Sequence, residues 1–117
     1  MFQAAKSWIS KLKATRLIIS EKLELKAETL TATAEDTVSV STPLTILDTT
    51  LGAMASLVLA DGYQGQVKIV LMMTDGGDAT LTPDNYANGT TLVFDSYDYW
   101  IGIFYGSNWH DLGKTAT

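Results

Sequence analysis

The sequence predicts an all-β protein, a small antiparallel β-sandwich or barrel-like domain preceded by an N-terminal arm. Turn signals separate short β-type runs about every 8–14 residues, a spacing typical of antiparallel sandwiches and barrels. No stretch has the alternation of strand and helix that a βαβ unit needs. The clearest turn signals are Asp61-Gly62, Asp75-Gly76-Gly77-Asp78 and Asn88-Gly89.

Composition indicates one folded domain. The 117 residues are 46% hydrophobic and 18% charged, a balance that is too apolar for a disordered chain. Cysteine is absent and His110 is the single histidine, which excludes disulfides, thiolate zinc sites and multi-histidine metal sites. No apolar run approaches the ~20 residues of a membrane-spanning helix. We predict no cofactor, no bound metal and no membrane partner.

The first 26 residues form the predicted arm. They carry a net charge of +4, whereas the rest of the chain carries −9. The acidic total argues against a nucleic-acid partner. The asymmetry fits either a basic arm that docks on an acidic surface or ordinary solubility charge. Apolar residues at three- and four-residue spacing predict a short helix over the first dozen residues, which needs a surface to pack on. The predicted docking residues are Phe2, Lys6, Trp8, Ile9, Lys11, Leu12, Lys13 and Arg16.

Extended strands follow the arm. Leu23 and Leu25 alternate with charged neighbours, which is typical of a strand with one wet face. Residues 33–50 are rich in threonine and serine, and Pro43 marks an edge or a bend. We therefore divide the chain into residues 1–52, an arm with extended docking strands, and residues 53–117, a β-rich module. The β-type runs of that module are residues 54–60, 66–73, 79–82, 90–95, 97–105 and 109–112.

Aromatic residues are concentrated in the last two runs. Such residues most often lie in a core or a subunit interface, and they can also stack on a carbohydrate. We predict that they line a trimer interface or form a surface patch. The residues of this predicted patch are Tyr97, Tyr99, Trp100, Phe104 and Trp109.

Two groups of residues suggest catalysis or metal binding. Asp75 with Asp78, and Asp95 with Asp98, could bind calcium or act as paired carboxylates, although aspartate in turns more often bonds to its own backbone. His110 beside a further aspartate suggests a triad, but no serine lies in a nucleophile elbow. We predict that the protein is not an enzyme and has no catalytic residues.

Residues 59–113 carry a resemblance to a known class of proteins. The succession LADGYQGQVK (59–68), TDGGDATLTP (74–83), GTTL (89–92) and NWH (108–110) resembles a small β module of tailed-bacteriophage virion proteins. These are capsid decoration (cement) proteins and fibre-type proteins. The resemblance implies a homotrimer, which also answers a physical need, because the edges of short strands must be paired, covered or charged. Residues 53–117 would then be the trimerising module.

The expected function follows from the resemblance and the arm. We expect a capsid decoration protein that binds the major capsid protein, or adjacent virion proteins, and stabilises contacts between capsid subunits. It would be assembled in the host cytoplasm and lie on the capsid surface of the virion. One alternative is a tail or head fibre component that binds a receptor or glycan through the aromatic residues. A second alternative is a small polysaccharide hydrolase.

Overall fold

A computed structural model describes residues 16, 18–31 and 37–117. This part of the chain contains nine strands and no helix. The helix predicted over the first dozen residues lies outside the described residues. The strands are β1 (Ala27–Leu30), β2 (Thr37–Val38), β3 (Leu44–Asp48), β4 (Met54–Leu59), β5 (Gln66–Thr74), β6 (Ala79–Pro83), β7 (Leu92–Phe94), β8 (Tyr99–Tyr105) and β9 (Asn108–Lys114).

The strands form two mixed sheets. The five-stranded sheet has the order β1-β3-β5-β8-β9, and the four-stranded sheet has the order β2-β4-β6-β7. Strands β1 to β6 alternate between the two sheets, so each two consecutive strands form one turn of a coil. Neighbouring strands in a sheet come from successive turns and run parallel, and three turns stack on one another. β7 and the β8–β9 hairpin then add antiparallel strands.

The all-β class is confirmed, and the prediction of an antiparallel fold is wrong for the first six strands. The predicted turns are present, but most join a strand of one sheet to a strand of the other instead of closing a hairpin. A parallel neighbour usually requires a crossover helix. Here the strand in the opposite sheet makes the crossover, so the absence of helical segments did not exclude parallel pairing.

The core lies between the two sheets. Alternation along each strand directs one set of side chains inward, for example Leu47, Val70 and Met72 from the five-stranded sheet. Leu81 and Phe94 meet them from the four-stranded sheet. Each fully buried side chain of this kind contributes about 1.5–3 kcal/mol relative to exposure. The opposite side chains of each strand therefore point away from the core.

Strand pairing crosses the boundary predicted after residue 52. β3 runs parallel to β5, with Leu44 opposite Ile69. β1 pairs with β3 in the same sheet. The described strands on both sides of residue 52 thus form one structural body, and the docking and trimerising roles assigned to the two parts stay predictions.

Candidate functional site

The outer face of the five-stranded sheet is apolar. On the same strands the intervening residues point into the core, so this face is the side directed away from it. All nine side chains that form its central rows are accessible, and eight of them are apolar. The rows are Leu44–Ile69–Ile101, Ile46–Leu71–Tyr99 and Val67–Ile103–His110. We call these nine residues the outer face.

The composition of the outer face is that of a covered surface. A sheet with one solvated face normally alternates apolar residues inward with polar residues outward, whereas a strand buried on both faces reads as a continuous apolar run. Residues 69–73 of β5 are Ile-Val-Leu-Met-Met, a run of the second kind. Within the described residues no element lies over this side of β5. The sequence of β5 is therefore that of a strand buried on both sides, whereas the described strands cover only the side that faces the core.

The outward side of the four-stranded sheet differs. One row crosses three of its strands as Thr37–Val58–Thr82, and Thr80 lies opposite Val93 in a second row. Threonine is common on strands that face water. Val58 is 42% exposed here, and Val67 of the outer face is 43% exposed. The two valines thus form a matched pair for substitution, with nearly equal exposure on opposite sides of the sandwich.

The predicted aromatic patch is wrong for three of its five residues. Trp100, Phe104 and Trp109 are buried in the core, where the Trp109 ring centroid lies 5.8 Å from that of Trp100 and 5.4 Å from that of Phe104. The even-numbered residues of β8 point inward by alternation, so Trp100 and Phe104 share the buried side. Tyr99 is part of the outer face, and Tyr97 is exposed in the β7–β8 turn.

Asp111 anchors the buried aromatic cluster. Its Oδ1 accepts hydrogen bonds of 2.7 Å from Trp100 Nε1 and from the Tyr86 hydroxyl, and its Oδ2 lies 3.0 Å from Lys114 Nζ. Burial acts to raise the pKa of the Asp111 carboxyl, but these three partners outweigh burial and lower the pKa below its usual value. Burial, and then the bond to Asp111, raise the pKa of the Tyr86 phenol.

The catalytic pair suggested by His110 and Asp111 does not form. The Asp111 carboxylate is occupied as described, whereas His110 Nε2 lies 3.2 Å from the backbone oxygen of Tyr105. His110 is at the margin of the outer face, and Asp111 points toward Trp100. The two neighbours are thus directed to opposite sides of β9.

The structure brings three of the four predicted acidic residues together. The carboxylates of Asp75, Asp78 and Asp95 lie within 4.8 Å of one another, and all three residues are exposed. With one ligand atom from each carboxylate they supply three of the six to eight oxygen ligands that calcium takes. Asp75 accepts a hydrogen bond from Gly77 N, and Asp98 accepts one from Asp95 N, which are turn-stabilising bonds.

A buried lysine ties the first three strands of the five-stranded sheet to the β2–β3 corner. Lys68 Nζ donates to the backbone oxygens of Ser39 (2.7 Å) and Thr42 (2.6 Å) and to Thr45 Oγ1 (2.6 Å). Glu28 Oε2 lies 3.9 Å from the same nitrogen. Burial lowers the pKa of Lys68 to about 8, partly offset by the Glu28 charge. The network is satisfied and internal, so its role is structural.

Seven of the eight predicted docking residues lie outside the described residues. Arg16 is the exception and is exposed. The described residues 18–26, which lead to β1, are all exposed, and they include four large apolar side chains. These are Ile18, Ile19, Leu23 and Leu25.

The sequence analysis missed the aliphatic residues of the outer face. The signal that identifies them is the uninterrupted apolar run of β5, because a strand with one solvated face would alternate apolar with polar residues. Aromatic residues are large, but size alone does not distinguish a core residue from a surface residue.

Comparison with known proteins does not identify a family for this chain. No protein-family model matches the chain, and no curated protein sequence matches it. The described residues contain no helix with the length and hydropathy of a membrane span.

Proposed function

We propose that the protein is a phage virion structural protein, a capsid decoration protein that binds the outer capsid surface as a homotrimer and stabilises contacts between major capsid subunits. The observation that supports this proposal is the outer face, a flat apolar surface on an otherwise complete sandwich. The resemblance of residues 59–113 supplies the virion context. The function is mechanical, and its free energy comes from association repeated over many copies.

Copies of the same chain are the occupant that fits the outer face best. The rows of the outer face cross four strands, β3, β5, β8 and β9, which at ~4.8 Å spacing give a surface about 19 Å wide. Three such surfaces around one axis enclose a triangular prism whose walls lie about 5.5 Å from the axis, close to half the ~10 Å spacing of packed sheets. Large aliphatic side chains fill that space. A closed ring of three leaves no outer face uncovered.

The arm is proposed to hold the trimer on the capsid. Residues 1–26 carry a net charge of +4, and the rest of the chain carries −9. The positive charge of the arm favours acidic surfaces over basic ones. Arg16, the one predicted docking residue that is described, is exposed and available to such a surface.

The assembly is tested by native mass with a matched pair of variants. Light scattering during size-exclusion chromatography should give three times the 12.7 kDa chain mass for the wild type. Val67→Asp buries an unpaired charge in the interface and should raise the dissociation constant at least about hundredfold. Val58→Asp makes the same change at the same exposure on the other sheet and should leave the mass unchanged.

Each other outcome has a definite meaning. A folded wild-type monomer at all concentrations would overturn the assembly, as would equal behaviour of the two variants. A dimer mass would show that two faces pack directly on each other, which contradicts the trimer.

Capsid binding is tested with an arm deletion. Removal of residues 1–14 should leave a soluble trimer that no longer sediments with capsid particles, whereas the full chain should sediment with them. If the shortened protein binds particles as well as the full chain does, the arm does not dock and the decoration mechanism is wrong.

A further inference from the structure

The stretch before β1 has the alternating sequence of a strand with one apolar side. Within residues 22–26, which we call the strap, Lys22 Nζ forms an ion pair of 2.6 Å with Glu24 Oε1. An extended backbone, continued from β1, places residues two apart on one side, as this ion pair requires. Leu23 and Leu25 therefore point to the opposite side, where they are 68% and 41% exposed.

The strap continues the line of β1. The backbone oxygen of Lys26 accepts a hydrogen bond of 3.3 Å from Leu44 N, so the chain leaves the sheet beside β3. Ala27 lies opposite Leu44, in the first row of the outer face. Leu25 and Leu23 are two and four residues before Ala27, and alternation places them on the same side. They extend the apolar outer face beyond the end of the sheet.

We infer that the strap is part of the interface between copies, with Leu23 and Leu25 of one copy packed against a second copy. This inference rests on the proposed assembly and adds a segment to it. A second copy that covers the outer face also meets the apolar surface that continues it along the strand direction, which is the strap. The arm is thus divided, with the strap held between copies and the residues before it directed to the capsid.

The charges of the strap favour a second copy over the capsid. Lys22 and Glu24 neutralise each other, and Lys26 is the one remaining charge among residues 22–26. Four of the six basic residues of the arm precede the strap. Electrostatic attraction to an acidic shell is therefore concentrated before residue 17, whereas the strap is nearly neutral and apolar on one side, as the core of an interface is.

Single cysteines test the inference, because the native chain has none. Leu25→Cys is labelled with a maleimide that carries a photoreactive diazirine and is irradiated at the concentration where the wild type is assembled, because residue 25 of one copy meets a different residue of the next copy around a threefold axis. It should give covalent dimers that vanish on dilution below the assembly range. Ser56→Cys, an exposed site on the four-stranded sheet, is the control and should stay monomeric on denaturing gels.

A charged variant provides the second measurement. Leu25→Asp should raise the dissociation constant of the assembly about tenfold or more, whereas Ser56→Asp should not change it. If the wild type assembles but Leu25→Cys behaves like Ser56→Cys, the strap inference fails and the proposed assembly stands. A monomeric wild type would overturn both. Crosslinks from Leu25→Cys to capsid protein, without crosslinks between copies, would assign the strap to the capsid.

Discussion

Replacement of Asp111 with alanine should lower the free energy of unfolding by about 2–4 kcal/mol. The carboxylate accepts two hydrogen bonds of 2.7 Å, and its donor from Trp100 is fully buried. An indole N–H left without an acceptor in the core costs about 1–3 kcal/mol. The Tyr86 hydroxyl is less buried and can turn toward water. The ion pair with Lys114 is partly exposed and adds at most about 1 kcal/mol.

The asparagine variant separates charge from hydrogen bonding. Asp111→Asn retains an oxygen acceptor for both donors but loses the negative charge, so it should cost less than the alanine variant. The pKa of Asp111 is lower in the folded protein than in the unfolded chain. Its ionisation therefore stabilises the fold above the ordinary aspartate pKa of ~3.9, and this contribution is lost as the pH falls through the lower folded value. The difference between wild type and Asp111→Asn should shrink below about pH 4.

Urea denaturation followed by tryptophan fluorescence measures these differences. All variants are compared at one protein concentration, since assembly adds to apparent stability. Asp84→Ala removes an exposed carboxylate and controls for the change in net charge. A cost for Asp111→Ala within about 0.5 kcal/mol of the Asp84→Ala cost would refute the claim that Asp111 anchors the aromatic cluster.

Two further substitutions test the packing of the body. Gly102→Ala should destabilise the fold by about 1–3 kcal/mol in thermal denaturation, because a methyl group would overlap the Trp100 ring. Gly113→Ala, where the nearest atom is 3.8 Å away, is the control and should cost less than half as much. Lys68→Met should cost about 2–4 kcal/mol at pH 7, because the buried Thr45 hydroxyl and two partly buried backbone oxygens lose their donor. The lysine pKa is about 8 in the fold and 10.5 in its ordinary state, so wild-type stability should rise with pH between these values and the Lys68→Met variant should lack that rise. A wild-type profile that is flat between pH 8 and pH 10, or that matches the Lys68→Met profile, would contradict the burial of this ammonium group.

The sequence was sufficient to predict where strands and turns lie but not how the strands are connected. Asp61-Gly62 and Asp75-Gly76-Gly77-Asp78 lie in connections between strands, and the run between them contains β5. A turn signal reports that the chain reverses locally. It does not report whether the next strand pairs with the last one or crosses to another sheet. That choice depends on long-range packing, such as Leu44 beside Ile69, which no local pattern contains.

The candidate site shows the same division between local pattern and packing. Alternation correctly places Tyr99 and Ile101 on one side of β8 and Trp100 on the other. It does not say which side is the core. On the core side Trp100 donates a hydrogen bond to Asp111 and packs against Trp109, and both partners belong to the next strand, β9. Apolar residues on both sides of β8 are the informative signal, since the four-stranded sheet covers only one of the two sides.

The edges of the two sheets support the proposal that assembly goes through the outer face and ends in a closed particle. Unpaired strand edges add further strands and lead to open-ended growth, which proteins limit by keeping edge strands short. β1 has four residues, β2 has two and β7 has three. The fourth edge strand, β9, carries a bulge opposite Ile101 and Gly102, which interrupts its ladder. In the described body the edges are thus poor templates, whereas the outer face is wide, regular and apolar. In the proposed assembly, association through the outer face would bury that face completely, so growth would stop when the faces are used and the product would be a discrete oligomer instead of a filament.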